Sequence, residues 1–161
     1  MANSVKERLS ILDKTLQDYE SSLGLPPVTS PGTEKELNKY LTMNRNEIES
    51  LLPQEFAEIS LKLNQYAFYI QRLYNQETAK LEWAQANLNK AIATHYTNYN
   101  NIYNHDVKVA AIIKEDQYAF SLYEVVTYAT QRCTRLNFLA NNLTNLSKVF
   151  YSNQQAKMKR D

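Results

Sequence analysis

Nine positions between Lys62 and Lys90 carry the side chains in this chain best suited to binding chemistry. Lys62, Gln65, Tyr69, Arg72, Gln76, Lys80, Trp83, Asn87 and Lys90 follow one another at steps of three and four. At about 100° per residue they share an arc of roughly 80° on one helix. The arc holds Lys62, Arg72, Lys80 and Lys90 as cations and Tyr69 and Trp83 as rings. Amides fill the other positions, and no acid occurs. Cations and rings interleaved along one line suit a single-stranded nucleic acid: the cations follow phosphates, and rings and guanidinium planes accept unstacked bases. The same spacing also fits a solvated helix face with Tyr69 and Trp83 at the edge of a core.

Other reactive types are sparse. Cys133 is the only cysteine, so neither a disulfide framework nor a thiol cluster for zinc is possible within the chain. It lies on an apolar stripe with no histidine nearby in sequence, which fits a small hydrophobe better than a nucleophile. His95 and His105 have no carboxylate or thiol at ligand spacing. Gly24 and Gly32 stand apart, and neither opens a phosphate loop. Glu77 is a lone acid on an apolar stripe; pairing with Arg132 or Arg135 suits it better than acid–base work. No enzyme, metal or cofactor is expected.

The arc needs a long rigid support, and residues 53–94 supply one. Pro53 is the only proline of that stretch and glycine is absent. Phe56, Ile59, Leu63, Tyr66, Ile70, Leu73, Leu81, Ala84, Leu88 and Ala91 trace an apolar stripe of helical period. Such a helix is about 60 Å long, and only another long helix can cover it. Residues 107–156 also lack Gly and Pro and repeat the pattern through Ala111, Tyr118, Leu122, Val126, Ala129, Cys133, Leu136, Ala140, Leu143 and Ser147 or Phe150. The expected fold is all-α: a long, coiled-coil-like antiparallel hairpin over about 54–104 and 107–157. Tyr128, Arg132 and Arg135 flank the second stripe and repeat the aromatic–basic theme. The Asn/Tyr-rich segment 94–107 is where the chain should reverse, with Asp106 as the next N-cap.

Shorter elements precede the hairpin. Ser4 and Glu7 form a capping-box signature ahead of a helix over 4–22, which Gly24 would close. Residues 25–32, LPPVTSPG, read as a linker. The expected organisation is an arm and linker over 1–32 and a hairpin domain over 33–161. Thr33 and Glu36 suggest a second capping box for a helix over 34–42, and another short helix is expected over 45–51. Leu61, Phe68, Phe120, Phe138 and Val149 lie off the main stripes, which predicts further helix contacts and a homo-oligomer.

The 161 residues carry a net charge of +1, so whole-molecule charge announces neither nucleic acid nor membrane. Its distribution is graded. Residues 1–52 hold six basic and eight acidic side chains; after Asp116 the count is six to two, and the chain ends in KMKRD. No apolar run approaches the roughly 20 residues that span a bilayer, and MANSVKERLS lacks a signal-peptide core. No membrane partner is expected, and the expected compartment is the cytoplasm, that of the host if the protein is viral.

Residues 65–93, QYAFYIQRLYNQETAKLEWAQANLNKAIA, resemble phage proteins related to the UvsY recombination mediator. Residues 40–63 fit the same pattern, a short helix and a Leu-Pro entry into an aromatic-rich long helix. Ala119–Lys159, with RCTRL at 132–136 and a basic end, is similar to the family's C-terminal helix. The likeness spans roughly residues 40–160 and leaves the arm unmatched. It implies recombination mediation: an oligomer that binds single-stranded DNA and helps load a RecA-like recombinase where a single-strand-binding protein occupies the strand. Carried onto this sequence, it implies DNA contacts at Arg72 and Lys80, flanked by Lys62 and Lys90. With the residue pattern added, the candidate interface is Lys62, Tyr69, Arg72, Lys80, Trp83, Lys90, Arg132 and Arg135. The alternative is a structural or scaffolding coiled-coil protein without nucleic-acid binding.

Overall fold

A computed structural model describes residues 4–159, and every regular element among them is helical. Arg160 and Asp161, the last of the basic end, lie outside the described residues. The helices are α1 (Val5–Ser22), α2 (Glu34–Thr42), α3 (Arg45–Ser50), α4 (Pro53–His95), α5 (His105–Glu115) and α6 (Gln117–Met158), with a 3-10 turn over Tyr96–Tyr99. The long, turn-free runs thus form the helices their composition demands. Pro53 opens α4, where a missing N–H is tolerated.

Local signals decide the ends. Ser4 accepts from the Glu7 amide and the Glu7 carboxylate accepts from the Ser4 amide, completing the expected capping box of α1. Gly24 adopts φ +79°, and the Leu25 and Gly24 amides reach the Glu20 and Ser21 carbonyls, a Schellman closure. Two expected caps are corrected. Thr33 sits at φ −102°, ψ 16°, away from the extended backbone an N-cap needs, and its hydroxyl makes no cap bond. The N-cap of α5 is Asn104, not Asp106: its side chain accepts from the Val107 amide at 3.2 Å.

The second arm differs from the single helix expected over 107–157. It breaks at Asp116, which takes extended backbone (φ −94°, ψ 111°) between α5 and α6. Asp116 Oδ1 accepts from the Tyr118 and Ala119 amides, and Oδ2 lies 2.8 Å from His95 Nε2. An N-cap aspartate inside a run without Gly or Pro starts a new helix, because its carboxylate satisfies amides that continuation would have paired.

The chain forms two compact units. The first comprises Met1–Pro27 and Asn75–Thr134. Its core is Val5 of α1, Ala84, Leu88 and Ala91 of α4, and Ala119 and Leu122 of α6, with Leu9, Trp83, Ile92, Ile113, Tyr118, Val125 and Val126 against it. Alanines at facing positions let helices approach closely. Thr78 Oγ1 lies 3.7 Å from buried Cys133 Sγ, and Arg132 reaches Glu77. Higher-numbered α4 residues therefore face lower-numbered α6 residues, the antiparallel sense expected.

The second unit comprises Val28–Tyr74 and Arg135–Asp161. Phe56, Ile59, Leu63, Ala67 and Ile70 of α4 pack on Ala140, Leu143 and Phe150 of α6, and residues of α2 and α3 close the cluster. Phe56 and Phe150 are 6.1 Å apart. Ser60 and Ser147 make a polar contact across this core. Ser147 Oγ donates to the Ser60 carbonyl at 2.9 Å, and the two hydroxyls are 2.8 Å apart. Lys157 Nζ donates to the Glu49 and Leu51 carbonyls, satisfying the C-terminal end of α3. Sequence periodicity places Ser147 and Phe150 on this seam but misses Ser60 and Ala67.

Ser147 is 2 % exposed, so it tests the closeness of the seam. Ser147→Leu should destabilise the protein by about 1–3 kcal/mol through overpacking. Ser147→Ala should cost only about 1 kcal/mol, the worth of one hydrogen bond. Urea unfolding followed by circular dichroism reads both, and equal losses would contradict the close approach.

Candidate nucleic-acid interface

The arc on α4 has the expected register, but the chain's own N-terminal helices use much of it. In the second unit, Lys62 Nζ lies 2.9 Å from Glu36 of α2 and 2.8 Å from Glu58 one turn back on α4. The hydrogen bond to Glu58 first, and that to Glu36 next, holds the Lys62 ammonium above its ordinary pKa, so it stays charged but neutralised. Tyr69 is half-buried, packs on the core cluster and meets Tyr66 edge-on at 5.6 Å. Arg72 is half-buried, whereas Arg135 is exposed.

In the first unit, Lys80 Nζ lies 3.3 Å from Asp13 of α1 and 3.5 Å from Glu77. Arg132 Nε donates to the other Glu77 oxygen at 2.7 Å, so the pairing expected between Glu77 and Arg132 is present. Trp83 is half-buried against the core cluster that includes Val5 and Leu9 of α1. Lys90 is exposed, and its side chain makes no ion pair among the described residues.

The structure therefore joins Lys80 and Arg132 through one carboxylate and leaves Lys90 and Arg135 to solvent. The partners that sequence reasoning missed are Asp13 and Glu36. The sequence showed only the imbalance, an arc without acids and a 52-residue N-terminal stretch with eight of them, not which of these would lie over the arc.

A second surface extends the Tyr128, Arg132 and Arg135 flank read from the sequence. From Val125 to Lys159 the sequence has no Asp or Glu. In the second unit, α6 turns Arg135, Phe138, Asn142, Asn145 and Val149 outward at helical spacing, with exposed Lys148 beside them. Phe138 is 70 % exposed. In the first unit α6 exposes Tyr128, at 59 %, next to Gln131 and Arg132. Cations, rings and amides are the mixture single-strand binding uses, and of these cations Arg132 already has Glu77 as its counter-charge.

The histidines are structural. His95 pairs with Asp116, and His105 Nδ1 lies 3.0 Å from the Tyr96 hydroxyl. Lys108 is buried with its ammonium 3.8 Å from the Tyr96 ring centre, a cation–π contact that fastens α5 to the 3-10 turn. Among the described residues no cluster of His, Cys, Asp and Glu is placed to hold a metal ion, and no helix is long and apolar enough to cross a membrane. Comparison with family models, curated proteins and solved structures finds no match for this chain.

The Glu77–Arg132 pair is half open to water, with the Arg132 side chain 51 % exposed. A double-mutant cycle of Glu77→Ala and Arg132→Ala should give a coupling of about 0.2–1 kcal/mol. That coupling should shrink at 1 M salt, where the screening length falls to about 3 Å. A larger, salt-independent value would mean the pair is buried in solution.

Proposed function

We propose that this chain is a non-enzymatic mediator of DNA recombination and repair, of the phage type its sequence resembles. It binds single-stranded DNA as a homo-oligomer and helps load a RecA-like recombinase where a single-strand-binding protein holds the strand. The observation that carries this reading is the acid-free outer face that α6 presents in the second unit, with Arg135 and Lys148 for phosphates and Phe138 for a base. Lys90 of α4 adds an exposed cation. Lys62, Lys80 and Arg132 contribute less, because carboxylates of the same chain already neutralise them. A net charge of +1 makes each subunit a weak binder, and repetition around an oligomer supplies the affinity.

A second reading is a helical assembly protein without nucleic acid. It is favoured by Leu61 and Phe68, which stand 57 % and 60 % exposed on α4. The same face serves oligomer contacts in the mediator reading, so self-association alone does not separate the two.

Fluorescence anisotropy with labelled oligo(dT) separates them. The mediator should bind single strands in preference to duplex, with affinity falling as salt rises. Arg135→Ala with Lys148→Ala should flatten the salt dependence by about 0.7 log unit per log unit of salt for each phosphate no longer neutralised. Phe138→Ala should cost roughly 1–3 kcal/mol of binding by removing a stacking ring. No anisotropy change at low salt removes the mediator reading in favour of assembly.

A further inference from the structure

The first unit contains a second feature that the outer face of α6 does not use. A groove of about 610 Å³ lies where α1 meets α4 and α6. Lys6, Ser10 and Asp13 face it from α1, at spacings of four and three that put them on one side of that helix. Lys80 and Arg132 enter it from α4 and α6. Val5, Leu9 and Val125 form an apolar wall.

The donors around this groove are incompletely used. Arg132 engages Glu77 through Nε, and its terminal amino groups make no hydrogen bond among the described residues. The contacts of Lys80 to Asp13 and Glu77 are 3.3 and 3.5 Å, longer than the 2.7–2.9 Å typical of a charge-assisted bond. The side chains of Lys6 and Ser10 have no partner among the described residues. Counting Glu77 behind the groove, three cations face two carboxylates, an excess of one positive charge. A compact anion with several acceptor oxygens satisfies these donors together. The apolar wall and a volume within the usual range for small-ligand sites fit a ring or sugar attached to that anion.

We propose that this groove binds the phosphate monoester of a nucleotide, with Lys6, Lys80, Arg132 and Ser10 on the phosphate and Val5, Leu9 and Val125 against the nucleoside. Asp13 reaches Lys80 from within the groove, so the phosphate displaces it and takes over that contact. The monoester is either a free nucleotide or the phosphorylated end of a strand. The groove shares Lys80 and Arg132 with the lesser contributors to strand binding, but not Lys6 or Ser10 and none of Arg135, Phe138 and Lys148.

The test uses the full chain with inorganic phosphate, dTMP, thymidine, and oligo(dT) with and without a 5′-phosphate. Binding is read by calorimetry and by the fluorescence of Trp83, which packs in the same cluster as Val5 and Leu9. The proposal expects dTMP to bind and thymidine not to, and Lys6→Gln and Lys80→Gln each to weaken dTMP at least threefold. Lys6 is exposed, so Lys6→Gln should leave the thermal unfolding midpoint unchanged. A 5′-phosphate that raises oligo(dT) affinity at least threefold assigns the site to strand ends; dTMP binding without that gain assigns it to free nucleotides. If dTMP binds no better than thymidine and the 5′-phosphate changes nothing, the proposal is overturned, whether or not oligo(dT) itself binds. If dTMP binds and oligo(dT) does not, the groove stands and the mediator reading falls.

Discussion

The structure depends on covering the apolar stripe of α4. A 43-residue helix draws little stability from backbone hydrogen bonds alone, and most of it must come from burying one face. Here α6 does that in both units, antiparallel in each, with alanines and serines where the helices come closest. Polar contacts sit on the seam, among them Ser60 with Ser147 and Glu77 with Arg132. A slip of one residue would turn each helix by about 100° and leave these groups without partners. Their value lies in fixing the register more than in adding stability.

That seam leaves each long helix with an outer face, and the two are treated differently. On α4 the arc of cations and rings lies beside the seam, where short N-terminal helices dock. Val5 and Leu9 of α1 pack in the cluster that holds Trp83, while Glu36 of α2 and Asp13 of α1 supply the missing negative charge. On α6 the outer face has no acid after Glu124, and much of its cationic and aromatic surface remains open to solvent. Charge graded along the sequence thus becomes charge sorted between helices.

Much of this was legible in the sequence. Helix positions followed from the absence of Gly and Pro and from the three–four spacing, and the ends followed where a cap had its full signature, as at Ser4–Glu7 and Gly24. Asp116 escaped because one N-cap residue interrupts a helix without disturbing the apolar period. Thr33 misled because a capping sequence caps nothing unless the backbone turns with it. The pairing of Glu77 with Arg132 was legible because an acid on an apolar stripe needs a cation across the seam. The fate of Lys62 and Lys80 was not, because periodicity within one helix says nothing of which remote segment lies over it.

The central claim, that a single strand lies along the outer face of α6, is most directly tested by photo-crosslinking. The full chain would be irradiated with bromodeoxyuridine-substituted oligo(dT) and the adducts mapped by mass spectrometry. The account predicts adducts at Phe138, which stands 70 % exposed on the outer face of α6 in the second unit. Adducts confined to Tyr69 and Trp83, the half-buried rings of the α4 arc, would contradict it, as would no adduct at a salt concentration where the strand is bound.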